Sequence, residues 1–217
     1  MQRKVEDVKR DLSHVYWIGG LSKGGKSTVT KAIKEEFGFF VYDHDKKWLG
    51  GNHVRMADPD RHPTMFKYRD LYEDFTNQKF LSSAPIDTLV EDYCNFFIEQ
   101  FEMVVDDLYE LPRNQPIIAE GVGLLPESIS RVADPHRAIL LIPTEEFERE
   151  MLQARYQEKP DPLFDKDIEW YSKWRVKWSE RATSQVEGLR VKIIETGGNN
   201  SLENTIDLVK AHFGLCS

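Results

Sequence analysis

The chain has 217 residues and a formal net charge of -8. That length suffices for one α/β domain with a buried core, and the negative charge argues against a general polyanion-binding surface. Cys94 and Cys216 lie far apart and predict free thiols in a reducing compartment. No apolar run is long enough to span a membrane, and residues 1–14 are too charged for a signal peptide. We therefore expect one soluble, cytoplasmic domain over residues 1–217, with neither membrane nor nucleic acid as its partner.

The beginning of the chain predicts a strand, a loop, a helix and a second strand. After a polar lead-in of one or two helical turns, residues 15–18 form an apolar run of β-forming side chains, typical of a buried strand. Residues 27–37 carry apolar side chains at helical spacing, and Gly38 stops that helix. Residues 39–42 predict a second strand that ends at Asp43.

The middle of the chain is dominated by one long helical pattern. Residues 46–63 have the mixture of glycine, proline, histidine and aspartate typical of a loop, and residues 64–80 predict a less regular helix. Residues 86–108 give the strongest helical pattern, with an aromatic-rich apolar stripe that we interpret as core packing. Residues 117–119 predict a third buried strand, which ends at Glu120.

The last third of the chain contains two more predicted strands, at residues 138–142 and 191–194. Thr144 is the expected N-cap of a helix, with acidic side chains in its first turn. A break at residues 159–165 ends this helix. Three helices are predicted in this part of the chain: residues 145–157, 166–188 and 202–213.

Three tryptophans, Trp170, Trp174 and Trp178, share one face of the predicted helix 166–188 because they fall four residues apart. We interpret this stripe as core packing. Stacking on a nucleobase, or a mobile cover over a site, is the alternative interpretation.

Short apolar strands that alternate with helices predict an α/β fold with a five-stranded parallel sheet covered by helices on both faces. Ligands of such sheets bind outside the carboxyl ends of the strands. The residues that follow each strand are therefore the ones to examine for chemistry.

The loop after the first strand matches the phosphate-binding pattern G-x-x-x-x-G-K-S, between a predicted strand and a predicted helix. Its glycines would let backbone N–H groups surround phosphate oxygens, Lys26 would reach the β- and γ-phosphates, and the Ser27 hydroxyl would ligate Mg²⁺. The alternative is a glycine-rich turn without a ligand. The predicted nucleotide-binding residues are Gly20, Leu21, Ser22, Lys23, Gly24, Gly25, Lys26, Ser27 and Thr28.

Acidic residues follow the second and third strands. If the second strand continues through Asp43-His44-Asp45, Asp43 and Asp45 share a face, so one can hold Mg²⁺ and the other can accept a proton. The alternative is that they begin a loop or cap a helix. Glu120 would order metal-bound water or bind substrate hydroxyls, and the glycines beside Val122 would let a ligand approach the backbone; a plain turn is the alternative.

Further polar residues are candidates for the same site. Arg149 and Arg155 could close over a transferring phosphoryl group, or they could be solvated helix charges. The loop at residues 196–199 could contact adenine through its backbone, or it could be a simple strand-to-helix turn. The spacing of three histidines favours ordinary loop residues over a metal site: His44, His53 and His62.

These residues together resemble the P-loop small-molecule kinases, the superfamily of the nucleoside-monophosphate and shikimate kinases, and are similar to uncharacterised bacterial P-loop ATPases. The resemblance implies the strand order 2-3-1-4-5. Asp43-His44-Asp45 looks like the Asp-x-Asp of shikimate kinases, whose first acid lies near the metal and whose second contacts the acceptor hydroxyl. The chain departs from shikimate kinases after the third strand, where Glu120-Gly121-Val122-Gly123 replaces their triple glycine.

The resemblance implies a kinase that uses ATP and Mg²⁺ to phosphorylate a hydroxyl or phosphate of a small metabolite. It implies an acceptor-binding region at about residues 46–112 and a lid at about residues 149–166, and it leaves the acceptor and the oligomeric state open. The implied catalytic residues are Lys26, Asp45, Arg149 and Arg155, and the implied metal-site residues are Ser27, Asp43 and Glu120.

Two other functions remain possible from the sequence. One is a regulatory or binding protein that uses ATP as a switch without a small-molecule acceptor. The other is a kinase acting on a macromolecule or on RNA ends, for which the basic side chains of residues 166–181 would be the binding surface. A GTPase is disfavoured because the chain lacks an Asn-Lys-x-Asp motif.

Overall fold

The computed structural model describes residues 4–49, 52–69, 84–158, 164–189 and 191–215. These residues contain an all-parallel five-stranded sheet in the order β2-β3-β1-β4-β5. The predicted α/β class and the implied strand order are therefore confirmed. The strands are β1 (Val15–Gly20), β2 (Phe40–Asp43), β3 (Ile117–Glu120), β4 (Ala138–Pro143) and β5 (Lys192–Thr196).

Helices surround the sheet, and none within the described ranges is long and apolar enough to span a membrane. In chain order they are α1 (Val5–Asp11), α2 (Lys26–Phe37), α3 (His44–Leu49), α4 (Asn52–Arg55), α5 (Pro63–Tyr68), α6 (Ile86–Tyr109), α7 (Pro126–Val132), α8 (Glu145–Glu158), α9 (Phe164–Leu189) and α10 (Leu202–Phe213), with a 3₁₀ helix at Pro135–Arg137.

Alternate strand residues point to opposite faces of the sheet, and helices cover both faces. On one face, Trp17 of β1 and Leu140 of β4 pack with Leu108 of α6 and Ile129 of α7. The opposite face is covered by α2 and α10, whose apolar side chains pack on Ile18 and its neighbours. Because both faces are covered, the central strands β1, β3 and β4 are apolar except at Glu120, the last residue of β3.

A third apolar cluster lies beside the loop that follows β1. Trp48 of α3 and Phe97 of α6 pack there with Trp174 and Trp178 of α9, which are 8% and 2% exposed. The prediction that the tryptophan stripe packs in the core is therefore confirmed for these two residues. The side chain of Trp170 lies outside the described residues.

The structure corrects one local prediction and adds two short helices that the sequence did not indicate. Residues 46–63 are not one loop, since they contain most of α3, all of α4 and the first residue of α5. Helix α7 and the 3₁₀ helix were not predicted, because such short helices have too few turns to show a clear periodicity. Of the predicted helix 64–80, α5 ends at Tyr68, and residues 70–80 lie outside the described residues.

The second strand also ends earlier than the Asp43–Asp45 interpretation required. Asp43 is the last residue of β2, and α3 begins at His44. The Asp43 carboxylate accepts a hydrogen bond from the backbone N–H of Lys46 at 3.0 Å, which caps the start of α3. Asp43 and Asp45 therefore do not share a strand face, and this prediction was wrong.

Two glycines at helix ends should respond oppositely to the same substitution. Gly38 ends α2 in the left-handed conformation with φ 71°, whereas exposed Gly188 lies in the last turn of α9 without positive φ. Gly38→Ala should destabilise the protein by about 1 kcal/mol, because a Cβ is strained there. Gly188→Ala should stabilise it by about 0.5 kcal/mol through reduced chain entropy in the unfolded state. Urea unfolding midpoints measure both changes, and equal signs would contradict the backbone assignment.

Candidate functional site

The glycine loop (residues 20–27) connects β1 to α2 and rests directly on β4. A Cβ added at Gly20 would lie 2.1 Å from the Leu141 carbonyl oxygen, and one at Gly24 would lie 2.6 Å from the same atom. Gly25 precedes α2 with φ 79°, and Lys23 also has a positive φ of 65°. The glycines of the sequence motif are thus required by close backbone contact at two positions and by a left-handed backbone at a third.

Lys26 turns its ammonium group back toward the glycine loop. Its side chain is buried, and Nζ donates to the carbonyl oxygens of Gly20 at 3.2 Å and Leu21 at 2.8 Å. Burial lowers the pKa of Lys26, while the negative charges of Asp45 and Glu120 oppose that shift. A cation is therefore held at the centre of the loop with two carboxylates nearby.

Glu120, at the end of β3, is paired with the first turn of α2. The Ser27 hydroxyl donates to Glu120 Oε1 at 3.0 Å. Glu120 is 4% exposed, and its buried Oε2 accepts no hydrogen bond from the described residues. Burial raises the pKa of Glu120, and the hydrogen bond from Ser27 and the charge of Lys26 oppose this rise only in part. Among the described residues this carboxylate thus has one oxygen without a partner, which is costly unless a cation or donor binds it.

Asp43 lies beside Glu120 because these residues are paired in the parallel register of β2 and β3. Its carboxylate, however, caps α3 and contacts Lys46 Nζ at 2.8 Å. The role of Asp43 at a metal site stays a prediction. In the structure its carboxylate is paired with the backbone N–H and the ammonium group of Lys46.

Asp45 reaches the same place from the first turn of α3. Its Oδ1 atom accepts from the Val122 N–H at 3.0 Å and from the Trp48 indole N–H at 3.4 Å, and lies 3.5 Å from His44 Nδ1. No described residue donates a hydrogen bond to its Oδ2 atom. Burial raises the pKa of Asp45, but His44, Lys26 and the Val122 N–H outweigh burial, so the pKa lies below its usual range.

The glycines after β3 make room for side chains of the protein itself. A Cβ at Gly121 would lie 2.7 Å from His44 Cβ and 2.9 Å from Asp45 Oδ1. A Cβ at Gly123 would lie 2.1 Å from Phe97 Cδ1 and 2.3 Å from His44 Cε1. The expectation that these glycines admit a ligand is therefore corrected: they admit the His44–Asp45 pair.

A cavity of about 850 Å³ begins at the glycine loop and Asp45 and extends along α8 to the turn after β5. The predicted Thr144 N-cap is confirmed, since its hydroxyl accepts from the Phe147 N–H at 3.2 Å. Sequence reasoning missed Phe147 and Met151, although their spacing of four on one helix was a usable signal. The far end of the cavity is lined by Thr144, Phe147, Met151, Thr196, Gly197, Gly198, Asn200, Ser201, Leu202 and Thr205.

The structure does not bring the predicted arginines to this cavity. Arg149 is exposed on α8, pairs with Glu145 at 2.8 Å, and is not among the described cavity-lining residues. The side chain of Arg155 lies outside the described residues, as do residues 159–163 of the predicted lid. An arginine that the sequence did not single out, Arg175 of α9, is buried against Glu148 of α8 and donates to the Pro143 carbonyl.

The three histidines are not ordinary loop residues. His44, His53 and His62 are 1%, 3% and 3% exposed, and each is within hydrogen-bonding distance of a polar side chain. Within the described ranges, no group of three or more histidine, cysteine, aspartate or glutamate side chains is arranged to hold a metal ion. The prediction of loop histidines is corrected for His44 and His53, which lie in α3 and α4, whereas His62 lies just before α5 and is buried.

Comparison of the chain with models of known protein families gave no match, and comparison with curated proteins gave none either. Function is therefore inferred from the geometry of the cavity and from the chemistry of the residues that line it.

Glu120→Gln should stabilise the protein at neutral pH by about 1 kcal/mol, because it removes the charge of a buried, incompletely paired carboxylate. The raised pKa of Glu120 determines the pH dependence. The ionised group destabilises the native state above that pKa, so the gain should disappear as pH falls below the ordinary glutamate pKa. Urea unfolding at several pH values measures this difference. A gain that persists unchanged at low pH would contradict the assigned cause.

Proposed function

We propose that this chain is an ATP-dependent phosphotransferase with a P-loop nucleotide-binding fold, acting on a hydroxyl or phosphate of a small metabolite. The observation that carries this proposal is that Lys26, Asp45 and the Ser27–Glu120 pair meet at the carboxyl ends of parallel strands. A glycine loop and a helix N-terminus stand at the same place, which is a favourable environment for phosphate.

The shape of the cavity supports a nucleotide as its ligand. The triphosphate would lie on the glycine loop, where Lys26 would exchange its two carbonyl partners for phosphate oxygens. The base would occupy the far end, between Phe147 and Met151 of α8 and the turn at residues 196–201. Glu146 and Glu150 of α8 line the cavity beside these two apolar side chains, and such a mixed helix face opposite a backbone turn offers a flat ring both stacking and polar contacts.

Ser27 and Glu120 fit Mg²⁺ in their donor chemistry. Mg²⁺ prefers oxygen ligands and is commonly held by one or two carboxylates together with phosphates and water. Glu120 Oε2 is buried without a hydrogen bond from the described residues, and the Ser27 hydroxyl lies beside the same carboxylate. When bound, the ion would neutralise charge on the phosphates. Glu120 would then have the positive partner that its burial requires.

Asp45 is suited to orient the acceptor. Val122 and Trp48 hold its Oδ1 atom, and the residue lines the cavity, so Oδ2 is available to accept the proton of an acceptor hydroxyl. In the transfer, the acceptor oxygen bonds to the γ-phosphorus, the bond from that phosphorus to the β,γ-bridging oxygen breaks, and ADP leaves. Because phosphoryl transfer has a loose transition state, positioning and charge stabilisation dominate, and a carboxylate of low pKa suffices.

The proposed closing role of Arg149 requires a change in its contacts. The guanidinium would have to leave Glu145 and turn toward the cavity. An exposed pair of this kind contributes little stability, so its rupture would oppose such a movement only weakly.

Lys26→Ala should lower the rate of acceptor-dependent ADP release from Mg-ATP at least ~10²-fold, the scale of one lost transition-state contact. The assay uses Mg-ATP with and without pooled sugars, hydroxy acids, nucleosides, nucleoside monophosphates and aminoglycosides. Lys31→Ala is the matched control, because Lys31 is an exposed lysine of the same helix, and it should keep wild-type turnover. Near-wild-type turnover in Lys26→Ala would overturn the assignment.

The same assay separates the proposed kinase from a nucleotide-dependent regulator. A kinase should be stimulated by one pool, and Asp45→Asn should remove that stimulation. Tight ATP binding without stimulation by any pool, together with tolerance of Asp45→Asn, would favour the regulatory alternative instead.

A further inference from the structure

A row of buried polar side chains lies directly behind Asp45. His44, Gln100 and His53 are 1%, 0% and 3% exposed, and they join α3, α6 and α4. His44 Nε2 lies 3.0 Å from Gln100 Oε1, and Gln100 Nε2 lies 2.8 Å from His53 Nδ1. The row begins at Asp45 and ends at Asp107, whose Oδ2 lies 3.1 Å from His53 Nε2.

The charge of Asp107 sets the direction of these hydrogen bonds. Its Oδ2 atom accepts from the Tyr42 hydroxyl at 2.8 Å and lies 3.2 Å from Lys47 Nζ. Burial raises the pKa of Asp107, but His53, Tyr42 and Lys47 outweigh this effect and lower it to about 2. Asp107 is therefore an ionised acceptor, and His53 Nε2 must be the donor in their contact.

The remaining directions follow from this first one. The Gln100 amide nitrogen can only donate, so His53 Nδ1 accepts from it while His53 Nε2 donates to Asp107. Gln100 Oε1 then accepts from His44 Nε2, so Gln100 is held at both ends by different groups. Because an amide does not readily pass protons along, this row fixes positions rather than conducting protons.

Packing removes the remaining freedom of His44. Its ring lies 5.5 Å from that of Phe97, and the missing Cβ atoms of Gly121 and Gly123 provide the space that it fills. His44 Nδ1 is buried and lies 3.5 Å from Asp45 Oδ1. A displaced His44 would therefore press on the carboxylate that Val122 and Trp48 hold.

We propose that Gln100, which is buried and does not line the cavity, is a positioning residue for Asp45 that acts through His44. By holding His44, it keeps Asp45 Oδ1 on the Val122 N–H and leaves Oδ2 directed to the acceptor. The catalytic meaning of this arrangement rests on the proposed function, whereas the physical coupling between Gln100 and Asp45 does not.

The coupling is testable by NMR on the full chain without nucleotide. The reporters are the Val122 amide and the Trp48 indole N–H, because both donate to Asp45 Oδ1. Asp45→Asn replaces the carboxylate that accepts from both N–H groups, so it shows how the two signals respond when their acceptor changes. Gln100→Met removes the hydrogen bonds to His44 and His53 while keeping a side chain of similar volume. Gln100→Glu keeps an oxygen that can accept from His44 Nε2. Val104→Ala is the control, because Val104 is a buried residue of the same helix that packs in a different apolar cluster.

In Gln100→Met we expect both reporter signals to shift and the Val122 amide to exchange at least about tenfold faster, as for loss of a hydrogen bond to a charged group. Gln100→Glu should remain closer to the wild type, and Val104→Ala should not change the reporters. Unchanged reporters in Gln100→Met, or equal changes in Val104→Ala, would overturn the proposal. If Gln100→Met does not fold, His53→Leu should give the same change, because it removes the His53 anchor of the Gln100 amide; unchanged reporters would again overturn the proposal.

Kinetics adds a second readout once an acceptor is found. Gln100→Met should lower kcat about tenfold while changing the Kd for Mg-ATP less than twofold, since Asp45 acts on the acceptor. Failure of the proposed function is a separate result, because it would appear as absent turnover in the wild type with the NMR coupling intact.

Discussion

The parallel pairing of β3 between β1 and β2 determines where every polar group of the site lies. It places Glu120 beside Ile18 of β1 and Asp43 of β2. The carboxyl ends of these three strands therefore lie at the same edge of the sheet. The glycine loop leaves β1 at this edge, and α3 leaves β2 there. The polar residues at the strand ends therefore lie together at this edge, and the sheet, packed on both faces, holds them in fixed positions.

This arrangement concentrates buried charge at one point of the molecule. Lys26 and Glu120 are almost fully buried, and Asp45 is largely enclosed. The pKa shifts of Lys26 and Glu120 arise from desolvation that neighbouring charges offset only in part, a pattern that occurs at functional sites. A bound cation would pair with the buried carboxylates and a bound phosphate with Lys26, so ligand binding is expected to stabilise the fold.

Much of the fold was predictable because its signals are local. The apolar strands, the long helix α6 and the bounds of α10 follow from periodicity, and the glycine loop follows from its motif. The roles of Gln100 and His53 were not predictable, because they depend on contacts between residues about fifty positions apart. Asp45 was misplaced in a continued strand because Asp43, the aspartate at the strand end, caps the helix that begins at His44.

We propose that the cavity beside the glycine loop binds Mg²⁺ and ATP. The most direct test is an NMR titration of the full chain with Mg²⁺ and a non-hydrolysable ATP analogue. We expect the largest changes in the amide signals of residues 20–28, of Val122 and of residues 196–202, and we expect Lys26→Ala to weaken these changes. Absence of changes at residues 20–28 with saturating nucleotide, or changes centred elsewhere, would contradict it.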